Sequence, residues 1–259
     1  MTPKGSAYSY LLDTYSGSSV AYSLRKLSST YSGNCIRVRR SSDNTEQNIG
    51  FVSNVLDTTS LLSFVGAGNG FVTTWYDQSG NGVNMIQTAG GYQPIIVSSG
   101  ILLTSGGKPI LDLYYKNMSN TMSNTISQSV FTCYKNETTL NGSLFTSPFC
   151  VINNGIYGGV IQSGSSLSPN VSAGTSSYYI NNTINVTTRD GMYTNLVTGT
   201  NKILNILNGG STTSGRLIQY DNTTYTGNFK VFESIIYPTD KTSIKTDINT
   251  NINTYYGIY

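Results

Sequence analysis

The sequence predicts an all-β fold, a two-sheet sandwich of the jelly-roll kind with a few short helices and a helix at the C-terminus. Three observations lead there. Short runs rich in β-branched and aromatic residues recur along the 259 residues, separated by turns of Gly, Asn and Ser, which is the pattern of strands and tight connections. Strand-like runs do not alternate with long helical segments, so a parallel sheet of βαβ units is not expected. Ser, Thr, Asn and Gly supply 122 residues, yet 37% of the chain is hydrophobic, more than a disordered segment carries.

In chain order, the first element expected is a short helix. After Ser18 and Ser19, the residues Val20, Leu24 and Leu27 fall at i, i+4 and i+7 and form one stripe that Gly33 stops. A strand follows at 35–39, where Arg37 and Arg39 alternate with Ile36 and Val38 and share a face, either solvated or paired with Asp43. Asp57 caps a second helix through Leu61, Leu62, Phe64 and Val65, ended by the glycine-rich turn at 66–70. Further strands are expected at 71–76, 93–97, 108–115, 129–134, 143–146, 155–161, 176–180, 203–207, 216–220 and 228–237. Pro238, Thr239 and Asp240 open a last helix, with Ile244, Ile248, Ile252 and Tyr255 on one face. The Gly/Ser-rich tracts at 163–168 and 209–215 have strand-like runs on both sides and read as loops. No charge block or linker divides the chain, so residues 1–259 are expected to form a single lectin-like jelly-roll domain.

Composition removes several chemistries. With no histidine, neither a Ser-His-Asp nor a Cys-His site nor a His-ligated zinc can be built from this chain alone. Cys35, Cys133 and Cys150 are scattered and odd in number, which indicates buried thiols rather than a zinc ribbon or a disulfide framework. A net charge of +3 with 10% charged residues leaves little to attract nucleic acid or an anionic membrane surface. No apolar run reaches the length of a membrane span, and residues 1–13 lack a basic start followed by a long apolar run, so a chain made without a classical export signal is expected. No cofactor and no metal are predicted.

Two N-terminal stretches are more specific than composition: "SVAYSLRKLSSTYSGNCIRVRRSSDNTEQNIG" at 19–50 and "FVTTWYDQSGNGVNMIQ" at 71–87. They resemble the catalytic domain of the fungal α-L-arabinofuranosidase B family, through an Ala-Tyr-Ser-Leu-Arg segment at 21–25, an Arg-x-Ser-Asp-Asn turn at 40–44 and a Tyr-Asp-Gln-Ser-Gly-Asn-Gly run at 76–82. The resemblance implies a concanavalin-like sandwich. The ending, "GNFKVFESIIYPTDKTSIKTDINTNINTYYGIY" at 227–259, resembles that family's closing strand and terminal helix, and more closely the ending of lectin-like domains in virion proteins of tailed bacteriophages.

Retaining glycoside hydrolysis needs two carboxylates about 5 to 5.5 Å apart, one a nucleophile and one an acid/base. The resemblance implies a glutamate nucleophile in the middle of the domain. The three glutamates here are Glu46 after the first strand, Glu137 in a polar turn and Glu233 in the final strand, and 155–188 holds no acid. The family's acid/base aspartate falls close to Asp221, while its adjacent cysteine pair has no counterpart. The fold is therefore expected to be kept and the hydrolytic chemistry lost, with no catalytic residue. The candidate carbohydrate-binding residues are Asp77, in a run that also forms turns, Asp221 and its neighbour Tyr220. Trp75, the sole tryptophan, sits in an apolar strand and reads as core, and Tyr178, Tyr179, Tyr220, Tyr225, Tyr255, Tyr256 and Tyr259 either furnish an adhesive surface or, for the larger share of the tyrosines, fill the core and strands.

The expected function is a non-enzymatic virion structural protein of a bacteriophage: a head fibre, capsid decoration or tail fibre subunit, assembled in the host cytoplasm. Its expected partners are other virion proteins of the capsid or tail, further copies of itself, commonly as a trimer, and a cell-surface glycan. The alternative is an arabinofuranosidase-like glycoside hydrolase using Asp221 with Asp190 or Asp112. A third reading is a bacterial surface or secreted lectin.

Overall fold

The computed structural model describes residues 9–125, 129–136, 145–146, 150–153, 156–157, 160–161, 177–186, 195, 199–207, 212–218 and 229–259. Backbone pairing joins 17 described strands into one continuous hydrogen-bonded system, antiparallel throughout its principal ladders. This is the antiparallel jelly-roll sandwich that the sequence predicts.

The Phe229–Tyr237 strand organises the molecule. It pairs with Val20–Ser23, with Leu111–Asp112 and with Ser129–Asn136, and Ser129–Asn136 pairs onward with Asn201–Leu207. Its residues are almost all buried because both of its faces are covered. On one face, Val231 and Ile236 join Val20, Tyr22, Val130 and Tyr134 in a core shared with Val38, Val72, Trp75 and Met85. That second group comes from Ile36–Arg40, Gly70–Trp75 and Met85–Ile86, so this is the layer where the two sheets of the sandwich meet. On the other face, Phe232, Ile235 and Tyr237 join Ala21, Leu27, Phe131 and Cys133 beneath Ile248, Ile252 and Tyr256 of the terminal helix Lys245–Tyr256. Trp75 is fully buried, as expected of a core tryptophan, with the Tyr22 ring 5.9 Å away.

The helix expected over 20–27 does not form: Val20–Ser23 is a strand. Val20 and Leu24 enter the inter-sheet core while Leu27 packs under the terminal helix, so the three residues of the supposed stripe divide between two cores. A strand covered on both faces shows no alternation, and its apolar residues then mimic helical spacing. The other two helices stand. Asp57 accepts from the Ser60 amide at 2.9 Å and caps Thr58–Val65. The terminal helix starts later than Pro238, at Lys245, after a 3-10 turn at Thr242–Ile244, because Asp240 holds the Thr242 amide and hydroxyl in a local turn. A one-turn helix, Leu11–Thr14, was not expected.

Among the strands, 108–115 breaks into Lys108–Pro109 and Leu111–Asp112, and 216–220 shifts back to Thr212–Ile218. The arginine face also resolves differently. Arg40, not Arg37 or Arg39, takes Asp43, through two bonds of 2.9 and 2.6 Å across the hairpin turn. Arg37 reaches Glu46 on the neighbouring strand at 2.5 Å, and Arg39 bonds Gln93 and lies 4.6 Å from the Phe71 ring centre.

Candidate functional site

The run at 76–82 finds its partner in the run at 21–25. Asp77 is 4% exposed; its Oδ1 accepts from the amides of Ala21 and Ser79, and its Oδ2 from the Ser79 hydroxyl and the Val83 amide. The Gln78 amide nitrogen donates to the carbonyls of Ser23 and Arg25, while its oxygen accepts from the Leu27 amide. Asn81 donates to the carbonyls of Ser18 and Ser19. Side chains from one loop thus satisfy several backbone groups between Ser18 and Leu27. The 40–44 turn is likewise self-contained, with Asn44 at φ 62° and Asp43 accepting from the Thr45 amide and hydroxyl. All three runs that carry the resemblance therefore do structural work.

Above this clamp opens a cleft of about 320 Å³, at the small end of the range for saccharide- and drug-sized sites. Residues 16–18, 28, 30–33 and 78–80 wall it together with Leu12. Its polar lining residues are Ser16, Ser18, Ser28, Thr30, Tyr31, Ser32, Gln78 and Ser79, and among the described residues no charged side chain lines it. Asp13 sits behind the wall, accepting from the Ser28 hydroxyl at 2.9 Å and the Ser29 amide at 3.1 Å. These bonds, from Ser29 first and Ser28 next, hold its carboxyl below the ordinary range. Tyr31 is anchored by donation to the Asn34 carbonyl at 2.8 Å and by an edge contact with Phe51, and burial pushes its phenol up to about 12. Gly33 makes room for that ring, since a Cβ there would lie 2.5 Å from the Tyr31 hydroxyl oxygen. A neutral site lined by hydroxyl-bearing residues suits an uncharged ligand that exchanges hydrogen bonds along its rim.

Six of the described carboxylates are committed elsewhere. Asp43 pairs with Arg40, Glu46 with Arg37, and Asp57 caps a helix. Asp112 accepts from the Tyr114 amide at 2.9 Å and lies 3.8 Å from the Lys230 ammonium, and Asp240 bonds Thr242. Glu233 is fully buried, receiving Arg25 Nε at 2.7 Å and Nη2 at 2.9 Å, the Ser23 hydroxyl at 2.7 Å and the Tyr256 hydroxyl at 3.2 Å. Among the described residues, no group of three or more Cys, Asp or Glu side chains is placed to hold a metal ion.

Of the sequence-derived candidates, Asp77 lies beneath the cleft with both oxygens used by the clamp, so it positions the loop and has no oxygen to offer a ligand. Tyr220 and Asp221 lie outside the described residues, as do Glu137 and Asp190. The tyrosines proposed as an adhesive surface divide: Tyr178 and Tyr256 are buried, Tyr259 is exposed, and Tyr225 lies outside the described residues. The cleft itself was missed, because Ser, Thr and Gly are too common in this chain to mark a site. The usable signal was proximity, since Gln78, Ser79 and Gly80 belong to the recognised run.

Comparison with known proteins agrees with this geometry. Residues 14–109 match the family model "Alpha-L-arabinofuranosidase B, catalytic", a span that contains all three structural runs. No curated protein matches. Three solved chains share the fold. A GH54 α-L-arabinofuranosidase soaked with a cyclic sulfate inhibitor has 14% identity and a TM-score of 0.57. A glutamate-to-glutamine variant of a GH54 α-L-arabinofuranosidase, soaked with 4-nitrophenyl α-L-arabinofuranoside, has 15% identity and the same TM-score of 0.57. An arabinofuranosidase complexed with arabinofuranosyl-α-1,2-xylobiose has 17% identity and a TM-score of 0.51. Each alignment covers 95% of this chain and 64% of the other, so the chain spans less than two thirds of their length. What is established is the jelly-roll fold of arabinofuranosidase catalytic domains, with an N-terminal part that matches their family model.

Proposed function

We propose that this chain is a non-hydrolytic glycan-binding module on a sugar-cleaving scaffold, displayed as a head fibre, decoration or tail fibre subunit of a phage virion. One observation carries the binding half: the cleft is walled by neutral, hydroxyl-bearing residues, with no carboxylate among the described residues of its lining. Loss of hydrolysis is supported by the glutamates, since Glu46 and Glu233 are held by arginines and 155–188 contains no acid. Display on a virion is supported by the ending at 227–259 and by a composition rich in Ser, Thr and Asn with little charge.

The competing reading, a hydrolase using Asp221 with Asp190 or Asp112, is favoured by the family match over 14–109. One pair of measurements separates them. Calorimetric titration with arabinofuranosyl-α-1,2-xylobiose is expected to show binding that Gly33→Ala weakens, and 4-nitrophenyl α-L-arabinofuranoside is expected not to turn over. Turnover that Asp221→Asn abolishes would overturn the proposal. Mass spectrometry of purified particles tests the display half, and absence of the chain from intact virions removes it.

A further inference from the structure

A second surface feature, separate from the cleft, is built around Tyr114 and Tyr115. The Lys116 amide donates to the Leu113 carbonyl at 2.9 Å, closing a four-residue turn with the two tyrosines at its corners. Tyr115 has φ 53°, a left-handed conformation that turns reserve for Gly or Asn and that a bulky side chain adopts only under strain. The turn is held firmly all the same: Asp112 accepts from the Tyr114 amide, the Leu113 amide donates to the Phe229 carbonyl, and Lys116 Nζ donates to the Gly91 carbonyl at 2.7 Å. The two rings stand 4.4 Å apart between centres at 58°. Each tyrosine is 46% exposed. Strain is thus accepted in order to hold an aromatic corner in solvent.

We propose that this corner is a saccharide-binding site for the flat apolar face of a β-1,4-linked gluco- or xylo-oligosaccharide. Such pyranoses present axial C–H groups above and below the ring and hydroxyls around its edge. One tyrosine face can take the C–H surface, while the second ring and the two phenol hydroxyls meet the polar rim. Two tyrosines among polar neighbours make a patch far smaller than a stable protein interface requires, which favours a sugar over a protein partner. The site does not depend on the cleft.

The test titrates the full chain with xylohexaose and with cellohexaose. Binding of at least one is expected, weakened about tenfold or more by Tyr114→Ala and retained by Tyr114→Phe. Tyr115→Gly is the decisive variant, because glycine relieves the strain: the thermal midpoint is expected to rise by about 2 °C while saccharide binding is lost. Binding of neither hexasaccharide, or binding unchanged in Tyr115→Gly, overturns the proposal. Loss of binding in Gly33→Ala with retention in both tyrosine variants also overturns it and leaves the cleft standing. Dimerisation that Tyr115→Gly abolishes, without any saccharide binding, overturns it in favour of self-association.

Discussion

At the scale of single residues, the Arg25–Glu233 pair shows how a carboxylate of a hydrolase-like scaffold serves structure instead. Both side chains are at most 1% exposed, and the register shift at Cys133/Tyr134 places Glu233 beside Phe232 on the side of the terminal helix. The guanidinium also lies 4.9 Å from the Tyr255 ring centre. Burying two charges is costly, and the four hydrogen bonds to Glu233 offset that cost only while both partners remain. Glu233→Gln is therefore expected to lower stability by about 3 to 5 kcal/mol, whereas Arg25→Met combined with Glu233→Leu loses far less. Urea unfolding of the single and double variants measures the difference, and equal losses would show that the ion pair is not the source.

At the scale of elements, side chains of the loop at 76–82 clamp the backbone between Ser18 and Leu27. Asp77→Asn would turn an amide NH₂ toward amides and a hydroxyl that need an acceptor, leaving at least one buried donor unpaired. The expected cost is about 2 to 3 kcal/mol, seen as a lower urea midpoint with the sheet signal in circular dichroism retained; an unchanged midpoint would remove the clamp from the account of the fold. Much of this architecture was legible in the sequence. The strands at Ile36–Arg40, Gly70–Trp75 and Phe229–Tyr237 announce themselves through β-branched and aromatic runs. Asn117–Thr125, "NMSNTMSNT", does not. Its pairing with Thr212–Ile218 rests on backbone bonds, which leave no mark on side-chain hydrophobicity. Val20–Ser23 was hidden for the opposite reason, being buried on both faces. The cleft was least legible, because it assembles hydroxyl-bearing residues from distant segments and tertiary structure alone brings them together.

At the scale of the whole molecule, the absence of histidine sets the pH response. Asp13, Asp43 and Asp57 have folded-state pKa values below the ordinary carboxyl value. The causes are bonds from Ser29 and Ser28 for Asp13, from Arg40 and then Thr45 for Asp43, and from Ser60 for Asp57. A lowered folded value means that their contribution is present above the unfolded value of about 4 and is lost as pH falls through the folded values. Tyr31 and Tyr255 run the other way: burial raises both phenols to about 12. Their contribution is complete below the unfolded value of about 10 and is lost as pH rises through about 12. The Cys35 and Cys133 thiols are also raised, by desolvation, so they too favour the fold until alkaline pH. With no imidazole to titrate between these edges, the urea midpoint is expected to stay level from about pH 5 to about pH 8. It should then fall on the acid side below about pH 4 and on the alkaline side above about pH 9. A midpoint that moves between about pH 6 and about pH 7 would contradict this, because the chain has no imidazole to titrate there.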